Sequence, residues 1–105
     1  MNGYEAVMRL ARDPEVRVQP TFFGKEIDWL AVVRACYEEA QRLGGKRFAG
    51  AWVVDKVGWF PGLKKLERYG ILKKEGETVR GGRRAYWTMP DREGVARALR
   101  ELGYL

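Results

Sequence analysis

Residues 63–89 constrain the fold most, because a short helical pattern and two strand-like runs follow one another there with glycines between them. Three apolar residues at helical spacing lead to a glycine of the kind that ends helices: Leu63, Leu66, Tyr69 and Gly70. After residue 71 the pattern becomes alternating, and Gly81-Gly82 separates the two runs, as in a two-residue hairpin turn. The stretch therefore predicts a helix that leads directly into a β-hairpin over residues 71–89.

Basic residues gather on this helix and hairpin. At 100° per residue, Lys64 and Arg68 project away from the side that carries the apolar residues. Arginines crowd the hairpin tip, and like charges that face each other across a hairpin are destabilising unless an anion receives them. DNA offers such an anion, because its major groove admits a helix and phosphates line that groove. The candidate DNA-binding residues are Phe60, Lys64, Lys65, Arg68, Arg80, Arg83 and Arg84.

The distribution of charge favours the same interpretation. Of the net charge of +6, residues 1–44 contribute six Lys/Arg against seven Asp/Glu, and residues 45–105 contribute 14 against seven. A local excess of this kind is typical of a phosphate-binding surface. The alternative is a basic face that only keeps the chain soluble and protects an exposed strand edge.

Helical patterns occupy most of the remaining chain. We predict helices over residues 3–12, 27–43, 49–57, 60–69 and 91–102, and an extended, partly packed segment over 14–26. The clearest apolar stripe lies in the second helix, at Trp29, Val33, Cys36, Ala40 and Leu43. The helices over 49–57 and 60–69 meet at Gly58 and form a helix-turn-helix candidate. The predicted fold class is α+β, mostly α: a three-helix core, a two-stranded hairpin, a C-terminal helix and an extra N-terminal helix.

Composition narrows the classes of function. The chain has 105 residues, 46% of them apolar, which suits a single domain with an N-terminal extension over 1–26 and a core over 27–102. No apolar run is long enough for a membrane span or a signal peptide, so we expect no membrane partner and a cytoplasmic, nucleoid-associated location. The profile of 32% charged residues without serine or histidine favours a thermophilic source.

Residue types also argue against catalysis and metal binding. Histidine and serine are absent, which removes Ser-His and Cys-His pairs, and we expect no enzyme. The one cysteine, Cys36, lies in an apolar stripe, so we expect a buried thiol rather than a reactive one. Too few ligands remain for an ordinary zinc site, and we expect neither a metal nor a cofactor.

Two motifs resemble those of a known family, the winged helix-turn-helix regulators of the MarR, PadR and ArsR type, including small archaeal versions. The segment Leu63-x-x-Leu66-Glu67-x-x-Gly70-Ile71-Leu72 resembles the family's junction between recognition helix and wing. The strand Arg84-Ala85-Tyr86-Trp87-Thr88-Met89 resembles its returning wing strand. The resemblance covers roughly residues 27–102.

This resemblance implies a transcriptional regulator that binds double-stranded DNA as a homodimer. The helix over about 60–69 would enter the major groove, and the arginine-tipped wing over 71–89 would follow the backbone or the minor groove. Dimerisation would use residues 1–26 with helix 27–43, or helix 91–102. The alternative function is an interaction module that binds protein or RNA in a larger assembly, with Trp59 and Phe60 as an aromatic contact patch.

Overall fold

The protein is an α+β structure that is mostly helical, as the sequence predicts. The computed structural model describes residues 2–14, 18–20, 24, 26–58, 60, 62–78 and 84–105. In chain order its elements are α1 (Gly3–Arg12), β1 (Val18–Pro20), β2 (Glu26–Asp28), α2 (Trp29–Arg42), β3 (Phe48–Ala49), α3 (Gly50–Val57), α4 (Lys64–Arg68), β4 (Lys73–Thr78), β5 (Arg84–Thr88) and α5 (Arg92–Glu101).

The strands form two antiparallel sheets. In the first, β1 lies within the predicted extended segment and pairs with β2, whose last two residues fall in the helix predicted over 27–43. Helix α2 begins only at Trp29, after the Asp28 cap. In the second, β5 lies between β3 and β4, with Phe48 opposite Trp87 and Lys73 opposite Thr88. The short strand β3 is absent from the sequence prediction, because two residues are too few to show an alternating pattern. Through β3, the chain that follows α2 is hydrogen-bonded to strand β5 of the hairpin.

One continuous cluster of buried side chains joins the helices to the three-stranded sheet. The predicted stripe of α2 is confirmed at Trp29, Val33, Cys36 and Ala40, which are buried, and Leu43 is partly buried against the same cluster. On β5, Trp87 is buried and packs in this cluster. Burial of this apolar surface is the main force that holds the sheet against the helices.

Helix α1 has the predicted bounds, and its buried face overlaps the stripe in the sequence but is rotated from it. The sequence has Tyr4, Val7, Met8 and Ala11 at helical spacing; Val7 is buried together with Ala6 and Leu10, and the other three are partly buried against the core. Both sets recur at helical spacing, so periodicity alone does not choose between them. The close packing of α1 against α5 decides the rotation of the helix.

Asp91 joins the first turns of α1 and α5. Its Oδ1 accepts a hydrogen bond from the Gly94 N–H at 3.0 Å, which caps α5, and its Oδ2 accepts one from the Gly3 N–H at 2.7 Å. The hydrogen bond from Gly3, followed by that from Gly94, lowers the pKa of the Asp91 carboxyl. A Cβ atom at Gly3 would lie 2.7 Å from the Asp91 carbonyl oxygen, so this close approach requires glycine.

Replacement of Asp91 by asparagine should lower the free energy of unfolding by about 1–2 kcal/mol, because the amide NH2 group replaces one of the two accepting oxygens and would face an N–H donor. The folded-state pKa lies below the unfolded one, so the carboxylate's contribution is present above the unfolded pKa and is lost as pH falls through the folded pKa. Urea denaturation of both proteins between about pH 7 and about pH 2 measures this. We expect the difference to shrink towards acid pH, and a constant difference would contradict the assigned role.

Candidate nucleic-acid interface

The predicted helix-turn-helix segment contains two short helices, but the second is shorter than predicted. Helix α3 ends at Val57, as expected, whereas α4 covers only Lys64–Arg68 instead of 60–69. Gly62 has φ of +130°, outside the helical region, and Leu63 acts as the helix N-cap. A helix cannot run through that conformation, so α4 begins only after Gly62. Trp59 and Pro61 lie outside the described residues.

Helix α4 has one buried side and one exposed side, as the helical projection predicts. Leu63 and Leu66 are buried in the core. Lys64 and Arg68 are exposed on the opposite side, together with Glu67. Two of the predicted DNA-binding residues therefore present their charges to solvent on a single helical surface.

Phe60 is wrongly predicted as a contact residue. Its side chain is only 5% exposed, and its ring packs edge-on against Trp29 with ring centroids 6.2 Å apart. The prediction placed Phe60 on an outward side of a helix, but the residue precedes α4 and turns its ring into the core. The ring is therefore available neither to a DNA groove nor to a protein partner.

Lys65 also differs from the prediction. Its Nζ lies 4.7 Å from the centroid of the Trp29 ring, and the side chain is half-buried. Burial lowers the pKa of the Lys65 ammonium group. A cation over an aromatic face is stabilised by the electrons of the ring. Lys65 thus directs its charge at α2, and we remove it from the set of solvent-facing DNA contacts.

The hairpin is described along its strands. The predicted tip residues Arg80, Gly81, Gly82 and Arg83 lie outside the described residues, and so does the side chain of Arg84, whose backbone begins β5. An exposed cation that the sequence prediction missed lies nearby: the Arg47 guanidinium stacks on the Tyr86 ring, with Cζ 4.5 Å from its centroid. Only the pairing of β3 with β5 brings these residues together, which is why local patterns did not reveal it.

A buried carboxylate links α2 to α3. Glu39 is 3% exposed, and its oxygens lie 2.9 Å from both Arg42 Nη2 and Lys56 Nζ. The hydrogen bond from Arg42, followed by the contact with Lys56, lowers the pKa of Glu39 against the opposing effect of burial. The sequence offered no signal for this cluster, because Glu38 and Glu39 are adjacent and only the fold decides which is buried.

Trp52 lies beside this cluster, and its side chain is exposed instead of packed in the core. The sequence has Trp52, Val53 and Val57 at helical spacing, but of these three only Val53 is buried. Trp52 is 37% exposed, and the Arg42 guanidinium lies 5.8 Å from its ring centroid. The eight-residue helix contacts the core through a narrow strip. The outer side of α3 therefore presents the Trp52 ring, and the Arg42 cation of α2, which Glu39 holds, lies next to it.

The cysteine and the carboxylates of the described residues bear on thiol reactivity and metal binding. Cys36 is buried, and burial raises the pKa of its thiol, which agrees with the predicted packing role. Across the described ranges, no three Cys, Asp or Glu residues come together as metal ligands. Over the same residues, no helix has the length and apolar character needed to cross a membrane.

Comparisons with family models, with curated proteins and with solved structures found no match. The likeness to winged-helix regulators therefore depends on motifs in this chain, above all the junction from Leu63 to Leu72.

Proposed function

We propose that this chain is a DNA-binding transcriptional regulator of the winged-helix type. The observation that carries the proposal is the order of elements from α2 to β5, in which β3 precedes two short helices and then pairs with the returning strand of the hairpin. This arrangement places α4 directly before the hairpin. A helix and a β-hairpin that are adjacent in this way suit simultaneous contact with a major groove and its flanking backbone.

The exposed charges on α4 support the proposal. Lys64 and Arg68 face solvent, while Leu63 and Leu66 anchor the helix to the core. Because α4 spans only five residues, its contacts with DNA would come from few side chains. Lysine and arginine bind phosphate oxygens well and also bind guanine edges. We propose that Lys64 and Arg68 bind DNA together with Arg80, Arg83 and Arg84.

We propose a homodimer, whose two α4 helices would enter successive major grooves about 34 Å apart. The sequence predicts dimerisation through residues 1–26 with helix 27–43, or through helix 91–102, and α1 and α5 from these two alternatives pack against each other within one chain. A dimer would therefore use their outer sides. The alternative interaction module loses one half of its predicted patch, because Phe60 is buried.

Replacement of both Lys64 and Arg68 by glutamine should weaken binding to a duplex by about tenfold to a hundredfold, since each loses a charge-assisted hydrogen bond. Fluorescence anisotropy with a labelled duplex of mixed sequence measures the change. The control is Arg34→Gln on α2, which removes a charge from an exposed residue paired with Glu38. We expect less than a twofold change there. Equal effects of the two proteins would exclude α4 as the contact surface.

A further inference from the structure

A polar cleft lies between α2 and α5, away from the proposed DNA-binding helix α4. Its volume is about 870 Å³. Its lining includes polar and charged side chains from both helices: Tyr37, Gln41, Arg92, Glu93, Arg97 and Arg100. Lys65 lies over Trp29 at the start of α2, and Gln41 is 12 residues further along, which corresponds to roughly 18 Å of helix. The cleft is therefore at the other end of α2 from the proposed DNA-binding helix.

Neighbouring residues hold two of the three arginines, Arg92 and Arg97, in place. Arg92 donates from Nη1 to Gln41 Oε1 at 2.6 Å. The Arg97 guanidinium lies over the Tyr4 ring with Cζ 4.5 Å from the centroid, and the Tyr4 hydroxyl donates to Glu101. A guanidinium has five N–H donors, and one hydrogen bond or one contact with an aromatic ring uses only part of that capacity. Such groups bind an anion without the full entropic cost of ordering long side chains.

The lining of the cleft holds three arginines and two carboxylates, Asp91 and Glu93, so its net charge is +1. Among the described residues, the ion pairs within 4.0 Å involve other cations: Arg34, Arg42, Lys56, Lys73 and Lys74. Asp91 also lines the cleft, but both of its oxygens already accept backbone N–H groups. Arg100 is exposed on α5, three residues beyond Arg97 and therefore on the same side of the helix. Three guanidinium groups thus share one concave surface.

We propose that this cleft binds a small ligand through a phosphate or diphosphate group. Planar guanidinium groups match the oxygens of phosphate in paired hydrogen bonds, and a multiply charged anion suits a site with three of them. Tyr37 and Gln41 add polar groups that orient the remainder of the ligand. The site is separate from α4, so its occupancy does not require DNA binding.

The test is calorimetric titration of the full-length chain with inorganic diphosphate in low-salt buffer. We expect saturable binding at one site per chain, weakened about tenfold or more by Arg100→Gln, because one charge-assisted interaction is lost. Arg34→Gln removes the same charge from α2, at a residue that does not line the cleft, and should change the dissociation constant less than twofold. Arg100→Lys should recover part of the affinity, since it restores the charge without the planar geometry.

Three results would overturn the proposal. The first is the absence of saturable diphosphate binding, and the second is an equal loss in Arg100→Gln and Arg34→Gln. The third is a loss of duplex binding in Arg100→Gln without diphosphate binding to the parent chain, which would assign the arginines to a DNA backbone instead. The Lys64→Gln/Arg68→Gln protein should keep its diphosphate affinity, which separates failure of this proposal from failure of the DNA-binding one.

Discussion

Phe60→Ala should lower the free energy of unfolding by about 3–5 kcal/mol, as for other large buried aromatic side chains. Phe60 is 5% exposed, and its ring meets Trp29, which is fully buried at the start of α2. Loss of the ring would remove apolar burial, the edge-on aromatic contact and part of the floor under α4. Chemical denaturation followed by tryptophan fluorescence and by circular dichroism gives the unfolding midpoint and slope.

Trp52→Ala is the matched control, because it also removes an aromatic ring. Trp52 is 37% exposed and contacts the Arg42 guanidinium, so we expect a loss of no more than about 1 kcal/mol. Phe60→Leu keeps most of the buried volume and should fall between the two. If Phe60→Ala unfolded at the same denaturant concentration as the parent, the ring would not be part of the core, and its use as a partner contact would reopen.

Phe60 also shows where sequence patterns stop being sufficient. Helical projection requires the residue to be in a helix, and it directs Phe60 outward only if 60–69 is one continuous helix. Gly62 interrupts that helix, and the interruption reverses the direction of the ring. Glycine at this position signals a possible break, but the sequence does not say whether the backbone uses it.

Elements defined by local signals were predicted well. Helix α5 begins after the Asp91 cap and α2 ends before Gly44-Gly45, as the sequence indicates. Both signals act within one turn of the residue that carries them. The buried face of α1, by contrast, depends on its contact with α5, which is distant in sequence. The same long-range dependence explains why β3, the stacking of Arg47 on Tyr86 and the burial of Glu39 had no local signal.

In the proposed interface, too, local patterns predict the direction of some side chains, and only the fold decides the direction of others. The outward direction of Lys64 and Arg68 follows from helical geometry, and the structure shows both exposed. Lys65 is adjacent to Lys64, yet its ammonium group lies over Trp29 because that ring closes the core beneath α4. Two neighbouring lysines therefore have different roles, which composition and charge counting cannot separate. This difference lowers the number of phosphate contacts that we expect from the protein.

Duplex binding should weaken steeply with salt. If Lys64, Arg68, Arg80, Arg83 and Arg84 each neutralise one phosphate, the logarithm of the association constant should fall against the logarithm of salt concentration with a slope of about −4.5 per protomer. That slope corresponds to a loss of roughly 500-fold between 50 and 200 mM monovalent salt. The physical reason is the release of cations condensed on the DNA when protein charges replace them. Anisotropy titrations at four or more salt concentrations measure it.

Charge removal then assigns the slope to particular surfaces. The Lys64→Gln/Arg68→Gln protein should have a slope shallower by about 2, and Arg80→Ala/Arg83→Ala/Arg84→Ala one shallower by about 3, because each lost contact removes nearly one unit. The Arg34→Gln control should keep the parent slope. If the wing variant loses affinity equally for all duplexes, its arginines contact the backbone; a loss confined to one sequence indicates base recognition. A parent slope near zero would exclude phosphate binding by this surface, whatever the affinity.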